Sequence, residues 1–417
     1  MQRLAVLATL AVLSATAALI APLPVAAGPA PAATCFGKKA TIVGTPGDDR
    51  IFGTNGPDVI VGLGGDDVIK GLRGNDLICG KAGADRIFGG PGNDKFDGGL
   101  GSIVTDGSPW TINNDVFLPG PGDDLIVPGY DKRAGSNENE YDLIVYASAA
   151  RGVRVDLSRG RVAGEGTDRL TSTRKVAVVG SRFADRMIGG AGNDALYGYA
   201  GADVLEGGGG NDKLSDHQNP WTFSRGEGAD ADRLLGGAGA DIIEANKGVD
   251  TISGGSGPDE IYDSGASADR IFAGPGDDLI WEYWTSQSGA EVQGGDGKDF
   301  LQPHLRVAAP TTIDLRSGVT TIEGSSTTTL RVSGVEDISW SDARFTFHGT
   351  SAPERIWMDH SSSGPLAAYG YGGNDLFHGS RFDDHLDGGA GTDTAWGGDG
   401  EDRCVSIEDE DDCEISD

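Results

Sequence analysis

Apolar side chains return every nine residues near the start of the chain: Ile51, Ile60, Ile69, Ile78, Ile87 and Phe96. Each is the middle residue of a three-residue stretch, and one inward side chain flanked by two outward ones is a minimal strand of period two. Seven and four positions before each of them stands a glycine, and two positions before stands an aspartate. The first unit, Gly44-Thr45-Pro46-Gly47-Asp48-Asp49, and the sixth, Gly89-Gly90-Pro91-Gly92-Asn93-Asp94, share this frame. Nine residues are too few for a helical repeat and suit one turn plus one short strand. Glycines at fixed offsets allow the positive φ of a tight turn. The pattern therefore predicts an all-β chain whose paired units close into 18-residue coils, with a strand on each side and a turn at each edge.

Coils stacked at the ordinary strand spacing lie ~4.8 Å apart. Asp49, Asp67 and Asp85 then line one edge, and Asp58, Asp76 and Asp94 line the other. Like charges at that separation repel by ~1 kcal/mol per pair in water and several-fold more in a partly dry site. A hard divalent cation with six to eight oxygen ligands resolves the conflict, carboxylates supplying part of the shell and turn carbonyls the rest. Zinc fits less well, because no His or Cys cluster accompanies the acids. Calcium is the cation this donor set selects. A Gly/Asp-rich disordered linker would have no reason to keep an apolar residue in phase with the aspartate.

The repeat resembles the RTX, or hemolysin-type, calcium-binding nonapeptide G-G-x-G-x-D-x-U-x. The resemblance covers residues 44–97, 180–215, 236–262 and 370–405, with single or looser units at 119–127, 273–281 and 294–302. It implies a parallel β-roll, or β-solenoid, with calcium ions between successive turns on the same edge. The metal-binding carboxylates it implies are Asp49, Asp58, Asp67, Asp76, Asp85 and Asp94 in the first block, with Asp124 in the lone unit. In the second block they are Asp185, Asp194, Asp203 and Asp212, and in the third Asp241, Asp250, Asp259 and Asp278. The last block contributes Asp375, Asp384, Asp393 and Asp402. Position 2 departs from the family pattern, being glycine only at Gly90 in the first block, which is expected to weaken individual sites without altering the turn.

The implied organisation is a leader at 1–27, an N-terminal segment at 28–43, the first block at 44–97, and an insertion with a β spacer at 98–179. Blocks two and three follow at 180–302, a second spacer at 303–369, the fourth block at 370–405, and an acidic C-terminal cap at 406–417. The stretches beginning Gly152-Val153-Arg154-Val155-Asp156-Leu157 and Thr311-Thr312-Ile313-Asp314-Leu315 resemble each other and are rich in β-formers. They are expected to be longer solenoid rungs between calcium blocks.

Charge narrows the partners. With 33 Lys and Arg against 64 Asp and Glu, the formal charge is −31, which excludes nucleic-acid binding on electrostatic grounds. Arg3, the apolar run after it and Val25-Ala26-Ala27 read as a secretory signal peptide, placing the protein outside the cell. Four cysteines in a secreted chain suggest two disulfides, Cys35–Cys79 and Cys404–Cys413, the first with its incoming segment lying across the roll.

No His-Glu-x-x-His and no Gly-x-Ser-x-Gly elbow is present. The histidines His217, His304, His348, His360, His378 and His385 are scattered, and the Asp359-His360 and Asp384-His385 pairs point apart on a strand. The chain is therefore expected to have no catalytic centre. Trp281-Glu282-Tyr283-Trp284, with Tyr197, Tyr262 and Trp396 at outward positions, raises the prospect of a polysaccharide or cell-envelope ligand stacked on the rings. The reading is a secreted calcium-ion-binding β-roll that folds as it binds multiple ions. A calcium-stabilised adhesive surface protein and an extracellular polysaccharide-acting enzyme are the alternatives.

Overall fold

The nine-residue period becomes two interleaved sets of strands. Arg50–Phe52 pairs in parallel with Val68–Lys70 and that with Arg86–Phe88, so that Ile51, Ile69 and Ile87 stand in one row. Val59–Val61 pairs with Leu77–Ala82 and that with Lys95–Leu100, placing Ile60, Ile78 and Phe96 in the row opposite. Both rows are buried and face each other in one continuous core. A computed structural model describes residues 32–100, 115–129, 141–172, 176–216, 218–219, 224–225, 230–265, 267–284, 289–305, 309–323, 330–358, 362–413 and 415–416. The leader, most of the first insertion, His217, Asp359 and His360 lie outside them, as does the side chain of Trp284.

Among the described residues 17 strands form one sheet and 22 the other. Pairing in each runs from neighbour to neighbour along the stack, and the chain alternates between sheets at every turn. This is the all-β parallel roll that the periodicity predicts. Each regular coil contributes two apolar side chains to this core and packs on its neighbours, and a separate buried cluster gathers Val116, Leu143, Val145 and Val179.

The two β spacers are not longer rungs. Each is a three-strand antiparallel fold inserted into one sheet where other coils place one strand. Arg154–Asp156, Arg161–Ala163 and Thr167–Leu170 form the first, and Thr311–Asp314, Val319–Ile322 and Leu330–Ser333 the second. Their outer strands rejoin the parallel order, with Leu125 opposite Arg169 and Arg154 opposite Arg186. A local device reverses the chain in the first. Asp156 caps a short 3-10 turn by accepting from Ser158 Oγ and the Arg159 N–H, and Gly160 closes it at φ 59°. Both spacers keep an apolar face inward, including Val155, Leu157, Val162, Ile313 and Leu330, so the core runs through them unbroken.

The ends are tied down. Thr34–Cys35 and Lys38–Lys39 form an antiparallel hairpin over the outer face, where Cys35 is joined to Cys79 with Cα atoms 5.7 Å apart. Cys35, Val61, Leu77 and Cys79 make a small second core there. Cys404 is joined to Cys413, Cα atoms 5.9 Å apart. The acidic tail continues the roll: Asp409–Asp411 pairs with Thr394–Trp396, and Ile415–Ser416 with Arg403–Val405. No helix among the described residues is long and apolar enough to cross a membrane.

Candidate metal centre

Every turn of the first block places its sixth residue between two coils. The N–H of Asp49 donates to Oδ1 of Asp67 at 2.9 Å, and the N–H of Asp67 to Oδ1 of Asp85 at 2.9 Å. On the other edge Asp58 donates to Asp76 and Asp76 to Asp94, both at 2.8 Å. One oxygen of each carboxylate is thereby spent on holding the next coil. A second ladder runs in the opposite sense at position 5, where Asp48 and Asp66 accept the N–H of Asp66 and Ala84 at 2.8 Å. The repeat formula conceals this ladder, because Asp and Asn alternate there with residues that have no acceptor.

The other oxygen, Oδ2, is the candidate ligand. In Asp67, Asp76, Asp85 and Asp94 it is buried and has no hydrogen-bond partner. The same holds for Asp124, Asp203, Asp212, Asp241, Asp250, Asp259, Asp278, Asp375 and Asp393. An ionised oxygen buried without a partner is costly, ~1–3 kcal/mol or more for a charged group. Burial is accordingly the largest cause pushing these carboxyls up: Asp85 and Asp94 to about 7 and Asp203 to about 9, with neighbouring carboxylates adding to it and the backbone hydrogen bond opposing. The turn glycines explain why the site stays open. At Gly62 an added Cβ would run into Oδ2 of Asp67 and the carbonyl of Gly80, so position 1 needs glycine for space rather than for φ. In the open turns of the first block position 2 is in the left-handed region, even as Leu63 at φ 87°, Leu72 at 79° and Lys81 at 89°, and the position-4 glycines Gly65, Gly74, Gly83 and Gly92 also take positive φ. Non-glycine residues at position 2 therefore keep the open turn, at the cost of a strained φ.

The remaining carboxylates named above behave differently. Asp49, Asp58, Asp185, Asp194 and Asp384 lie on the same edges, but each takes a hydrogen bond on Oδ2 from the second residue of its own turn. Asp402 takes its place on the edge, its Oδ1 accepting the N–H of Asp384 at 2.7 Å.

The ladders also enlist acids outside the carboxylates named from the repeats, among them Asp299, the sixth residue of the unit at 294–302. Asp115, Asp142, Asp168, Asp232, Asp269, Asp299, Glu336 and Glu408 each accept the sixth-position N–H of a neighbouring coil. Insertions leave the register intact: Asp203 reaches Asp232 across 29 residues, and Asp124 reaches Asp168 across 44. A usable signal was present in most of them, an acid followed two residues later by an apolar side chain, as in Asp115-Val116-Phe117 or Asp232-Arg233-Leu234.

Two clusters add a further carboxylate. Asp216 stands where most units have their first glycine, and its ligand oxygen lies within 4.8 Å of those of Asp232 and Asp250. Asp263 and Glu282 take the same position in successive coils and meet Asp269 within the same distance. Burial, then the charges of Asp269 and Glu282, raises Asp263 well above the usual carboxylate range.

The aromatic residues form ladders, not a platform. Tyr262 and Trp281 stack at 4.4 Å, and His378 lies between Trp357 at 3.9 Å and Trp396 at 4.3 Å. Each of these rings has a neighbouring ring on at least one face, and Tyr197 is buried. The Asp384-His385 pair is divided as well, with Asp384 bonded to Ser380 and His385 against Tyr369.

Stacked turns, an inward apolar row and carboxylate oxygens without protein partners define a parallel β-roll with cation-ready edges. The chain carries RTX calcium-binding nonapeptide repeats, matched at residues 43–78, 79–102, 179–214, 228–261, 262–281 and 369–404. The match to 228–261 begins before the third block assigned from spacing and takes in Asp232. No other domain, catalytic or otherwise, accompanies the repeats among the families found. A search of curated proteins finds none that matches.

Proposed function

We propose that this chain is a non-catalytic, extracellular calcium-binding protein whose folding is completed by the ions it takes up. The observation that carries the reading is the column of buried Oδ2 atoms with no protein partner, repeated from coil to coil on both edges. Oxygen-only donors without His or Cys suit a hard cation, and a flexible shell of carboxylates and turn carbonyls suits calcium better than magnesium. Calcium would be held by Oδ2 of Asp67, Asp76, Asp85, Asp94 and their counterparts in later blocks, together with main-chain carbonyls of the same turns. When bound, it supplies the positive charge these edges lack.

The chain's own residues do the rest. The Oδ1 ladder fixes the spacing of the carboxylates, the isoleucine rows hold the sheets together, and the first glycine keeps space clear beside Oδ2. Two disulfides fit an oxidising compartment, where calcium is also plentiful. In low calcium the paired carboxylates repel and the coils separate; in high calcium they close. Affinity in the ~10⁻⁴–10⁻³ M range of extracellular modules is expected.

Far-UV circular dichroism of the chelator-stripped chain during a calcium titration, with magnesium as control, tests the reading. A cooperative gain of β signal with calcium alone is expected. The same β signal in chelator, calcium and magnesium would overturn it.

A further inference from the structure

The edge carboxylates exist in two states, and the residue at position 2 of the turn separates them. Where it is Thr45, Thr54, Ser181 or Ser380, the turn saturates Oδ2 of its own aspartate; Thr350 instead gives both donors to Oε1 of Glu354 and leaves Oε2 without a partner. Thr45 donates its N–H and its hydroxyl to Oδ2 of Asp49, at 2.5 and 2.9 Å. Thr54 does the same to Asp58, at 2.6 and 2.9 Å. Ser181 gives its N–H to Oδ2 of Asp185 at 2.5 Å and its hydroxyl to Oδ1 at 2.8 Å, and Ser380 serves Asp384 in the same way. Each hydroxyl also accepts the N–H two residues on, from Gly47, Gly56, Phe183 and Phe382. Hydroxyl, carboxylate and backbone close into one ring.

Where position 2 is Leu63, Leu72, Lys81 or Gly90, its φ is positive, and Oδ2 of the same turn's aspartate has no partner. Gly190 separates the effect of the hydroxyl from that of the backbone. It has no hydroxyl and its φ is not positive, and its N–H donates to Oδ2 of Asp194 at 2.6 Å. In these turns the conformation at position 2 decides whether an N–H faces the carboxylate, and a Ser or Thr hydroxyl reinforces the closed form. At Asp250 the second residue, Asn246, lacks a positive φ but turns its N–H to Asp216 instead, and Oδ2 stays open.

We propose that position 2 is the loading switch of each turn: turns whose second residue donates to their own carboxylate hold no cation, and ions go to turns in which it does not. An N–H within hydrogen-bond distance of Oδ2 puts partial positive charge where the cation would sit, and uses the lone pair it would take. Asp384 is closed within the last block, after the open turn of Asp375. The other four closed turns open their blocks: those of Asp49 and Asp58 precede the first run of open sites, and those of Asp185 and Asp194 precede the second. They are metal-independent first coils on which the ion-dependent coils stack. A β-branched residue resists positive φ, so Thr at position 2 enforces the closed form, whereas Gly permits the open one.

This inference rests on the calcium reading and is tested separately from it. Calcium bound at saturation is counted by native mass spectrometry on the full chain and on three variants, with β structure checked by circular dichroism. Leu72→Thr is expected to lose at least one ion while remaining folded. Thr54→Gly and Ser380→Gly are expected to gain ions. An unchanged count in Leu72→Thr overturns the proposal, and so does an unchanged count in both glycine variants. If the glycine variants fail to fold, Leu72→Thr decides alone. A parent chain that binds no calcium would remove the calcium reading itself, and this rule with it.

Discussion

The first repeat block, residues 44–97, and the antiparallel spacer at residues 154–170 bury the same kind of core and differ at their edges. Both line the interior with fully buried aliphatic side chains, Ile60 and Ile78 in one and Val155 and Leu157 in the other. In the block, Asp67, Asp76, Asp85 and Asp94 each leave a buried oxygen without a partner. In the spacer the protein supplies the donors: the Tyr146 hydroxyl reaches Oδ2 of Asp168 at 2.7 Å, and Asp156 is met by Ser158 and Arg159. Hydrophobic filling is thus common to the whole roll, while buried carboxylate oxygens without a protein donor set the edges of the block apart from the spacer.

Calcium removal tests this difference with the largest expected effect. Hydrogen exchange in chelator should strip protection from the amides of Val68–Lys70 and Leu77–Ala82 well before those of Arg154–Asp156 and Arg161–Ala163. Simultaneous loss in both regions would break the comparison. Core truncation sharpens it from the other side. Ile78→Ala and Leu157→Ala should each cost ~2–5 kcal/mol in saturating calcium, read from denaturant midpoints, because both empty a fully buried site. A much larger penalty in one region would mean that the cores are not equivalent.

Acid should act with opposite sign on the edge carboxylates of the block and on the Asp156 cap of the spacer. Burial raises Asp85 and Asp94 to about 7 in the folded chain, against 3.8 for an ordinary aspartate. The ion-free block then takes up protons on folding, so its stability falls as pH rises from about 4 to about 7 and stays low above that. Calcium affinity should rise over the same interval, because the ion replaces those protons. Asp156 is lowered, chiefly by the Ser158 hydroxyl, so its contribution is present at neutral pH and disappears as pH falls through the lowered value. Residue-resolved NMR titration in chelator would detect both trends, and a block that gains stability with rising pH would contradict the assignment. The smallest effect is expected from Arg159→Ala. It breaks an exposed ion pair to Asp156 at 2.8 Å and should cost less than ~1 kcal/mol, with no change in calcium uptake.

Much of this molecule could be read from its residues. Ile51 through Phe96 announce the strands, Gly44-x-x-Gly47-x-Asp49 announces the turn, and the two predicted cysteine pairings are those the structure forms. Three features were less legible. The edge extends to Asp115, Asp142 and Asp232, because a ladder built of backbone N–H groups tolerates long insertions between its rungs. The stretches at 152–160 and 311–318 look like single rungs, since β-forming composition does not reveal whether neighbouring strands run parallel or antiparallel. Trp281 and Trp396 look like free outward rings, because the period shows which face they occupy but not that Tyr262 and His378 cover them.

What the sequence determined by itself is everything carried by a strict local period: coil length, the inward row, the two carboxylate edges and an oxygen-only donor set suited to a hard cation. Each of these follows from residue type at a fixed offset. Only the tertiary structure decided which carboxylate oxygen is saturated and which is left for an ion. That depends on the φ adopted at position 2 and on a coil that packs 18 or more residues away. Asp58 and Asp76 have the same motif around them, yet Thr54 closes the first turn and Leu72 leaves the second open.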